Sequence, residues 1–168
     1  MAEISFKGHT ESVIALAVTP DGRKVVSGSE DNTVKVWDVE SGKLLHSLEG
    51  HTGRITALAV TPDGRKVVSA SWDKTLKVWD LKSGKLLRSL EGHNCMVNAL
   101  AVTPDGCKVI SASGDKTLKV WDLESGKLLL SLEGHTNVVT TVVVTPDGRK
   151  IVSGSWDKTL KAWNLVSE

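Results

Sequence analysis

An all-β protein is expected, assembled from four-stranded antiparallel sheets that recur four times along the chain. Three observations carry that expectation. The 168 residues divide into periods of 42: His9, His51, His93 and His135 keep that spacing, as do Trp37, Trp79, Trp121 and Trp163, and Asp31, Asp73, Asp115 and Asp157. Self-similarity at such a period marks a repeat architecture. Apolar residues alternate or run continuously and never adopt helical spacing. Turn signals arrive at intervals of roughly ten residues, the rhythm of short strands.

The first period shows how each element is read. Val13-Ile14-Ala15-Leu16-Ala17-Val18 is a near-continuous apolar run, expected of a strand buried on both faces. Thr19-Pro20-Asp21-Gly22 follows as a turn, with Pro presetting φ and Gly tolerating a positive one. Lys24 to Ser27 form a second strand that turns at Glu30-Asp31-Asn32, and Thr33 to Trp37 alternate as a third. Ser41-Gly42 turns the chain into Lys43 to Leu48, the fourth. Connections this short make an antiparallel meander. One such sheet cannot bury both of its faces, and radial stacking of copies solves that problem, which predicts a β-propeller. Ala15 and Ala17, repeated at Ala57, Ala59, Ala99 and Ala101, suit a crowded strand near the axis. The periods 1–42, 43–84, 85–126 and 127–168 fill the chain, so a single domain over 1–168 is expected.

Composition narrows the function classes. About 40% of residues are apolar and the formal net charge is +1, which describes a globular chain and not a disordered one. Lys and Arg sit singly among Asp and Glu, so no basic patch for nucleic acid is expected. Met1 to Thr10 hold no apolar run of signal-peptide or membrane-spanning length, and no membrane partner is expected. A strand from Val97 to Thr103 would span roughly 23 Å and hold Cys95 and Cys107 apart, beyond disulfide reach. Two free thiols point to a reducing compartment, and the expected location is cytoplasmic.

The matching words are Gly50-His51, Pro62-Asp63-Gly64, Ser71-Trp72-Asp73 and Val78-Trp79-Asp80, with equivalents in every copy. In them the chain closely resembles the WD-repeat β-propeller family over its whole length. The last copy departs mildly, with Trp163-Asn164 in place of Trp-Asp. The resemblance implies a hydrogen-bonded Asp, His, Ser and Trp group in each blade. Carried over by position, the first set is His9, Ser27, Asp31 and Trp37, and the second is His51, Ser69, Asp73 and Trp79. The third is His93, Ser111, Asp115 and Trp121, and the fourth is His135, Ser153, Asp157 and Trp163. If strands two and three pair across Asp31-Asn32, Ser27 lies opposite Trp37 and its hydroxyl can accept the indole N–H. Either Ser27 or Ser29, and their equivalents, can take the serine role, because both face the same side.

Ser, His and Asp within reach of one another also invite a hydrolase reading. A nucleophile needs exposure and an oxyanion site, whereas this trio recurs four times with a Trp beside each serine. No catalytic residue is expected. The fifth histidine, His46, has no partner at ligand spacing, so neither a metal nor a cofactor is expected.

Differences among the copies cluster in two places. One follows Gly-His: Glu11-Ser12, Gly53-Arg54, Cys95-Met96 and Asn137-Val138, continuing to Ile14, Thr56, Asn98 and Thr140. The other precedes the turn aspartate: Glu30, Trp72, Gly114 and Trp156. The meander brings both to one end of the blade, the face on which WD-repeat proteins commonly hold peptides and partners. Glu30, Arg54, Trp72, Met96, Asn98, Gly114 and Trp156 are therefore the candidate binding face, with Trp and Arg its strongest anchors. Neutral variation at loop positions fits the same pattern.

By resemblance, rings in this family close with seven or eight blades. A ring of four needs neighbouring blades rotated by about 90°, and a ring of eight by about 45°. Residues 2–7 align with a fourth strand, and no fourth strand follows Trp163-Asn164-Leu165. The expectation is a homodimer in which each amino-terminal strand completes its partner's last blade, giving an eight-bladed ring. The near-identity of the copies fits recent amplification, a fragment, or an engineered version of a longer bacterial-type array. The expected function is a non-catalytic, self-assembling scaffold that binds proteins or peptides on one face. A dedicated module for one specific partner is the alternative.

Overall fold

The computed structural model describes residues 2–165, and these residues contain strands and turns and no helix. Blade 1 comprises β1 (Val13–Val18), β2 (Lys24–Ser29), β3 (Val34–Asp38) and β4 (Leu44–Leu48). Blade 2 comprises β5 (Ile55–Val60), β6 (Lys66–Ser71), β7 (Leu76–Asp80) and β8 (Leu86–Leu90). Blade 3 repeats this as β9 (Val97–Val102), β10 (Lys108–Ser113), β11 (Leu118–Asp122) and β12 (Leu128–Leu132). Blade 4 has three strands, β13 (Val139–Val144), β14 (Lys150–Ser155) and β15 (Leu160–Asn164). Every sheet is an antiparallel meander in chain order.

The turns follow their residue chemistry. At the Pro-Asp-Gly turn the Gly22 N–H donates to the Thr19 carbonyl at 2.8 Å, and Gly22 takes a φ of 72°. That left-handed conformation favours glycine, because a Cβ would crowd the backbone. The Thr19 hydroxyl donates to Asp21 Oδ1 at 2.7 Å, locking the turn from its side.

Two expectations need correction. Ser27 does not lie opposite Trp37: it pairs with Lys35, and Trp37 pairs with Val25. Blade 4 departs from the expectation in the same way, with Ser153 opposite Lys161 and Trp163 opposite Ile151. In blade 1 the ladder closes at Gly28 and Val34, with Ser29 N–H on the Thr33 carbonyl and Asn32 left-handed at a φ of 71°. The register is thereby offset by two residues, and Trp37 meets Ser27 diagonally, within reach of an aromatic side chain. Residues 2–7, expected to pair with a second copy, carry no ladder among the described residues.

Blades stack in chain order, with β1, β5, β9 and β13 side by side. The core is divided into three clusters, one at each junction. Between blades 1 and 2, Val26, Val34 and Val36 pack against Ile55, Val67 and Trp79. The equivalent residues meet between blades 2 and 3 and between blades 3 and 4. Each blade thus contributes one trailing and one leading apolar face. At the two ends of the row a face has no blade packed against it, although Phe6 keeps Trp37 of the first face buried. This corrects the expectation that strand one is buried on both sides: Val13 and Leu16 of β1 are exposed, whereas Ile55 and Val97 are buried.

Candidate functional site

In each blade one side-chain network ties the entering loop to the sheet. In blade 2, Trp79 Nε1–H donates to Ser69 Oγ at 2.9 Å, and Ser69 Oγ lies 2.7 Å from His51 Nε2. His51 Nδ1 lies 2.7 Å from Asp73 Oδ2. An indole can only donate and a carboxylate can only accept, so the serine accepts from the indole. The imidazole tautomer with its proton on Nδ1 faces the aspartate, and in that tautomer Nε2 accepts the serine hydroxyl. The geometry repeats in blade 1 among His9, Ser27, Asp31 and Trp37, and in blade 3 among His93, Ser111, Asp115 and Trp121.

Blade 4 keeps the network although its trailing face is open. Trp163 Nε1–H donates to Ser153 Oγ at 2.9 Å, Ser153 Oγ lies 2.7 Å from His135 Nε2, and His135 Nδ1 lies 2.7 Å from Asp157 Oδ2. Ser153 is buried, while Trp163 is only half-buried, unlike Trp79 and Trp121.

The serine in contact with the indole is the first of each pair: Ser27, Ser69, Ser111 and Ser153. Ser29, the other candidate, instead donates to the Glu11 carbonyl and accepts the Asp31 N–H. Ser155 does the same in blade 4, donating to the Asn137 carbonyl and accepting the Asp157 N–H. A fifth member escaped the sequence reading. Thr33 donates its hydroxyl to Asp31 Oδ1 at 2.6 Å and its N–H to the same oxygen at 2.9 Å. Its signal was present, as the threonine recurs two residues after each turn aspartate, at Thr75, Thr117 and Thr159.

Burial alone would push the Asp31 carboxyl up. The hydrogen bonds from Thr33, His9 and the Thr10 N–H outweigh it and hold the carboxyl well below its ordinary value of 3.8. Asp73 and Asp115 balance the same way, with the His51 and His93 bonds leading the downward contributions. At Asp157 the Thr159 bond is the largest influence, and its carboxyl is lowered as well.

The His–Ser and His–Asp distances are those of an acyl-transfer triad, but the environment is not. Ser69 and Ser111 are 0% exposed and the indole occupies the approach to the oxygen. In these two blades a substrate carbonyl cannot reach it, and nucleophilic attack requires that contact. In blade 1, where His9 and Ser27 border an apolar groove, the Trp37 indole N–H likewise lies on the serine oxygen, at 2.8 Å. The arrangement is suited to satisfying four buried polar groups at once. Among the described residues, no three His, Cys, Asp or Glu side chains form a group that could hold a metal.

The two variable loops meet within each blade. Glu30 N–H donates to the Ser12 carbonyl, Trp72 N–H to Arg54, Gly114 N–H to Met96 and Trp156 N–H to Val138. The Arg54 guanidinium stacks 4.0 Å from the centre of the Trp72 ring, and its Nη1 lies 3.0 Å from Glu30 Oε1 of the preceding blade. Trp72 and Trp156 are exposed, while Met96, Asn98 and Gly114 are half-buried. Asn98 points elsewhere: its Nδ2 donates to the Val139 carbonyl of blade 4 at 3.1 Å.

An apolar groove lies at the leading end. It encloses about 190 Å³ and is lined by Phe6, His9, Val13, Leu16, Val25, Ser27 and Trp37. Other hollows lie beside Thr103, Asp105 and Arg149, beside Arg23 and Asp38, and beside Asp21 and Asp63. Trp72 and Trp156 line none of these four.

Comparison with known proteins agrees with this geometry. The model of the WD domain, G-beta repeat family matches the chain four times, over residues 3–38, 42–80, 84–122 and 126–164. Individual blades are similar to ribosome biogenesis protein BOP1 homologs: 41% identical over 44 residues in Drosophila melanogaster and 45% over 47 residues in Dictyostelium discoideum. These matches cover 26% and 28% of the chain, and the chain spans about 6% of the length of either relative.

Proposed function

Because the chain belongs to the WD domain, G-beta repeat family, we propose that it is a non-catalytic interaction scaffold whose four blades are half of a ring closed by a second copy. The observation that carries this reading is the pair of uncovered end faces. Leu160 on the trailing face of blade 4 is 75% exposed, whereas its equivalents Leu76 and Leu118 are 0% exposed. Leu16 on the leading face of blade 1 is 66% exposed. These two faces are the halves of the junction that the chain already forms three times, so each fits the other on a second copy.

The amino-terminal segment supports the same reading. Ile4 Cγ2 stands against Gly42 just as the His46 ring stands against Gly84 and the Arg88 stem against Gly126. Phe6, the equivalent of Leu48, packs edge-on against Trp37 with ring centres 5.9 Å apart. Residues 2–7 thus occupy the place of an outer strand belonging to a preceding blade, ready to pair with β15 of a second copy. Two such exchanges give a two-fold ring of eight blades and remove the exposed sheet edges. The groove beside Phe6 and Leu16 is where the trailing Val152 and Leu160 of that copy would pack.

The Glu30–Arg54–Trp72 cluster, outside the end faces, is the surface we assign to protein or peptide partners. The free thiols Cys95 and Cys107 fit a cytoplasmic setting. The likeness to ribosome biogenesis proteins extends over one blade and is a likeness of repeat grammar. A specific-partner module is the competing reading, favoured by the exposure of Trp72. Light scattering after size exclusion separates the two. A mass near twice 18.0 kDa supports closure by a second copy, and a mass near 18.0 kDa at all concentrations overturns it.

A further inference from the structure

Polar side chains cross the blade junctions at two fixed places in the repeat. Near the start of the first strand, Thr56 Oγ1 of blade 2 donates to the Val97 carbonyl of blade 3 at 2.6 Å. Asn98 Nδ2 of blade 3 donates to the Val139 carbonyl of blade 4 at 3.1 Å. The first junction has Ile14 at this place, which offers no donor. It uses the second place instead, before the turn aspartate, where Glu30 of blade 1 meets Arg54 of blade 2 at 3.0 Å.

Blade 4 carries Thr140 and Trp156 at these two places. The single Thr56 hydroxyl proton lies between two carbonyls and favours the one across the junction, at 2.6 Å, over Ala70 in its own sheet, at 3.2 Å. Among the described residues, the Thr140 hydroxyl has only the equivalent contact within its sheet, to the Gly154 carbonyl at 3.4 Å. Trp156 is more exposed than Trp72, whose ring lies under Arg54. On the other end face, Val13 is the equivalent of Val97 and Val139, whose carbonyls accept the crossing bonds. Ser12 is the equivalent of Arg54.

We infer that the junction between two chains is stitched in the register of the internal junctions. Thr140 Oγ1 donates to the Val13 carbonyl of the second copy, and Trp156 lies against Ser12 of that copy. This assignment rests on the pairing proposed above and adds its register. It removes Trp156 from the partner-binding face and makes it a residue of the seam. A non-directional apolar contact tolerates sliding, whereas a hydrogen bond to one carbonyl selects one alignment.

Sedimentation equilibrium of the full chain tests it, with circular dichroism confirming that each variant is folded. Thr140→Val keeps the shape and loses the hydroxyl. It weakens dimerisation roughly tenfold or more, since two seams lose one bond each, while Thr56→Val at an internal junction leaves the dissociation constant unchanged. Trp156→Glu combined with Ser12→Glu sets like charges against each other and weakens pairing further. Trp156→Glu with Ser12→Arg rebuilds the Glu30–Arg54 pair across the seam and restores pairing relative to the double glutamate. A wild-type dimer whose dissociation constant is the same in Thr140→Val, and equal for the two combinations that carry Trp156→Glu, overturns the register while leaving the pairing intact. A wild-type chain that remains at 18.0 kDa overturns both.

Discussion

At the residue scale the clamp works by leaving no buried polar atom without a partner. Among the described residues, no buried side-chain nitrogen or oxygen lacks a hydrogen bond. Ser111 occupies the middle of its network, accepting from Trp121 and contacting His93. Ser111→Ala strands the indole N–H and one imidazole nitrogen where water does not reach, at a cost of about 1–3 kcal/mol. Urea denaturation of this variant beside Ser125→Ala, which alters an exposed turn, checks that difference. The aspartates predict an acid response. Asp31, Asp73, Asp115 and Asp157 are lowered, as are the turn carboxyls such as Asp21 and Asp38. The unfolded chain takes up protons near the ordinary 3.8, before the folded chain does. The stabilisation is therefore complete above that value and is lost progressively as pH falls below about 4 towards the lower folded values. Thermal denaturation across pH 2–6 should show a falling midpoint below pH 4, and a flat profile there would contradict these networks.

At the element scale the turns carry a cost that differs among copies. The left-handed residue between strands two and three is Asn32 in blade 1 but Lys74, Lys116 and Lys158 in the others, all with φ between 71° and 76°. Asparagine tolerates this conformation through its short polar side chain, whereas lysine adopts it at a steric cost. Lys116→Asn should stabilise the protein by on the order of 0.5–1 kcal/mol, read from the shift of its urea midpoint. The same turn explains where sequence reading stopped short. Strand identity was legible from alternation and from Pro-Asp-Gly and Ser-Gly punctuation. Register was not, because the position of Asn32 in left-handed space shifts Trp37 from facing Ser27 to facing Val25. Membership of the clamp survived that shift, since a diagonal contact suits an indole. Thr33 went unread because a β-branched residue opening a strand has a sufficient explanation in strand propensity alone. Asn98 is assigned to the binding face because it varies among the copies, and only the packing of blade 3 on blade 4 reveals its carbonyl partner.

At the scale of the whole molecule, stability is distributed along a row of near-identical units, each held mainly by its neighbours. Blades 2 and 3 are covered on both faces. Blade 1 has only Phe6 over Trp37 on its leading face, leaving Val13 and Leu16 exposed, and blade 4 has an open trailing face, where Leu160 and Trp156 are exposed. Local opening follows the number of buried contacts an element makes, so the ends of an isolated chain open first. Amides of β13 to β15 should exchange faster than those of β9 to β11 when the protein is dilute, although the sequences of the two blades are nearly the same. If a second copy covers the end faces, raising the concentration should slow exchange in β15 and β1 and leave β6 and β10 unaffected. The effect should be largest along the outer edge of β15, where the amino-terminal segment of the other chain would supply the missing ladder. Hydrogen exchange read by mass spectrometry at two concentrations measures this directly. Uniform protection of all four blades in a dilute sample would mean that the end faces stay covered at that dilution, and the mass of that sample tells whether one chain or two supply the cover.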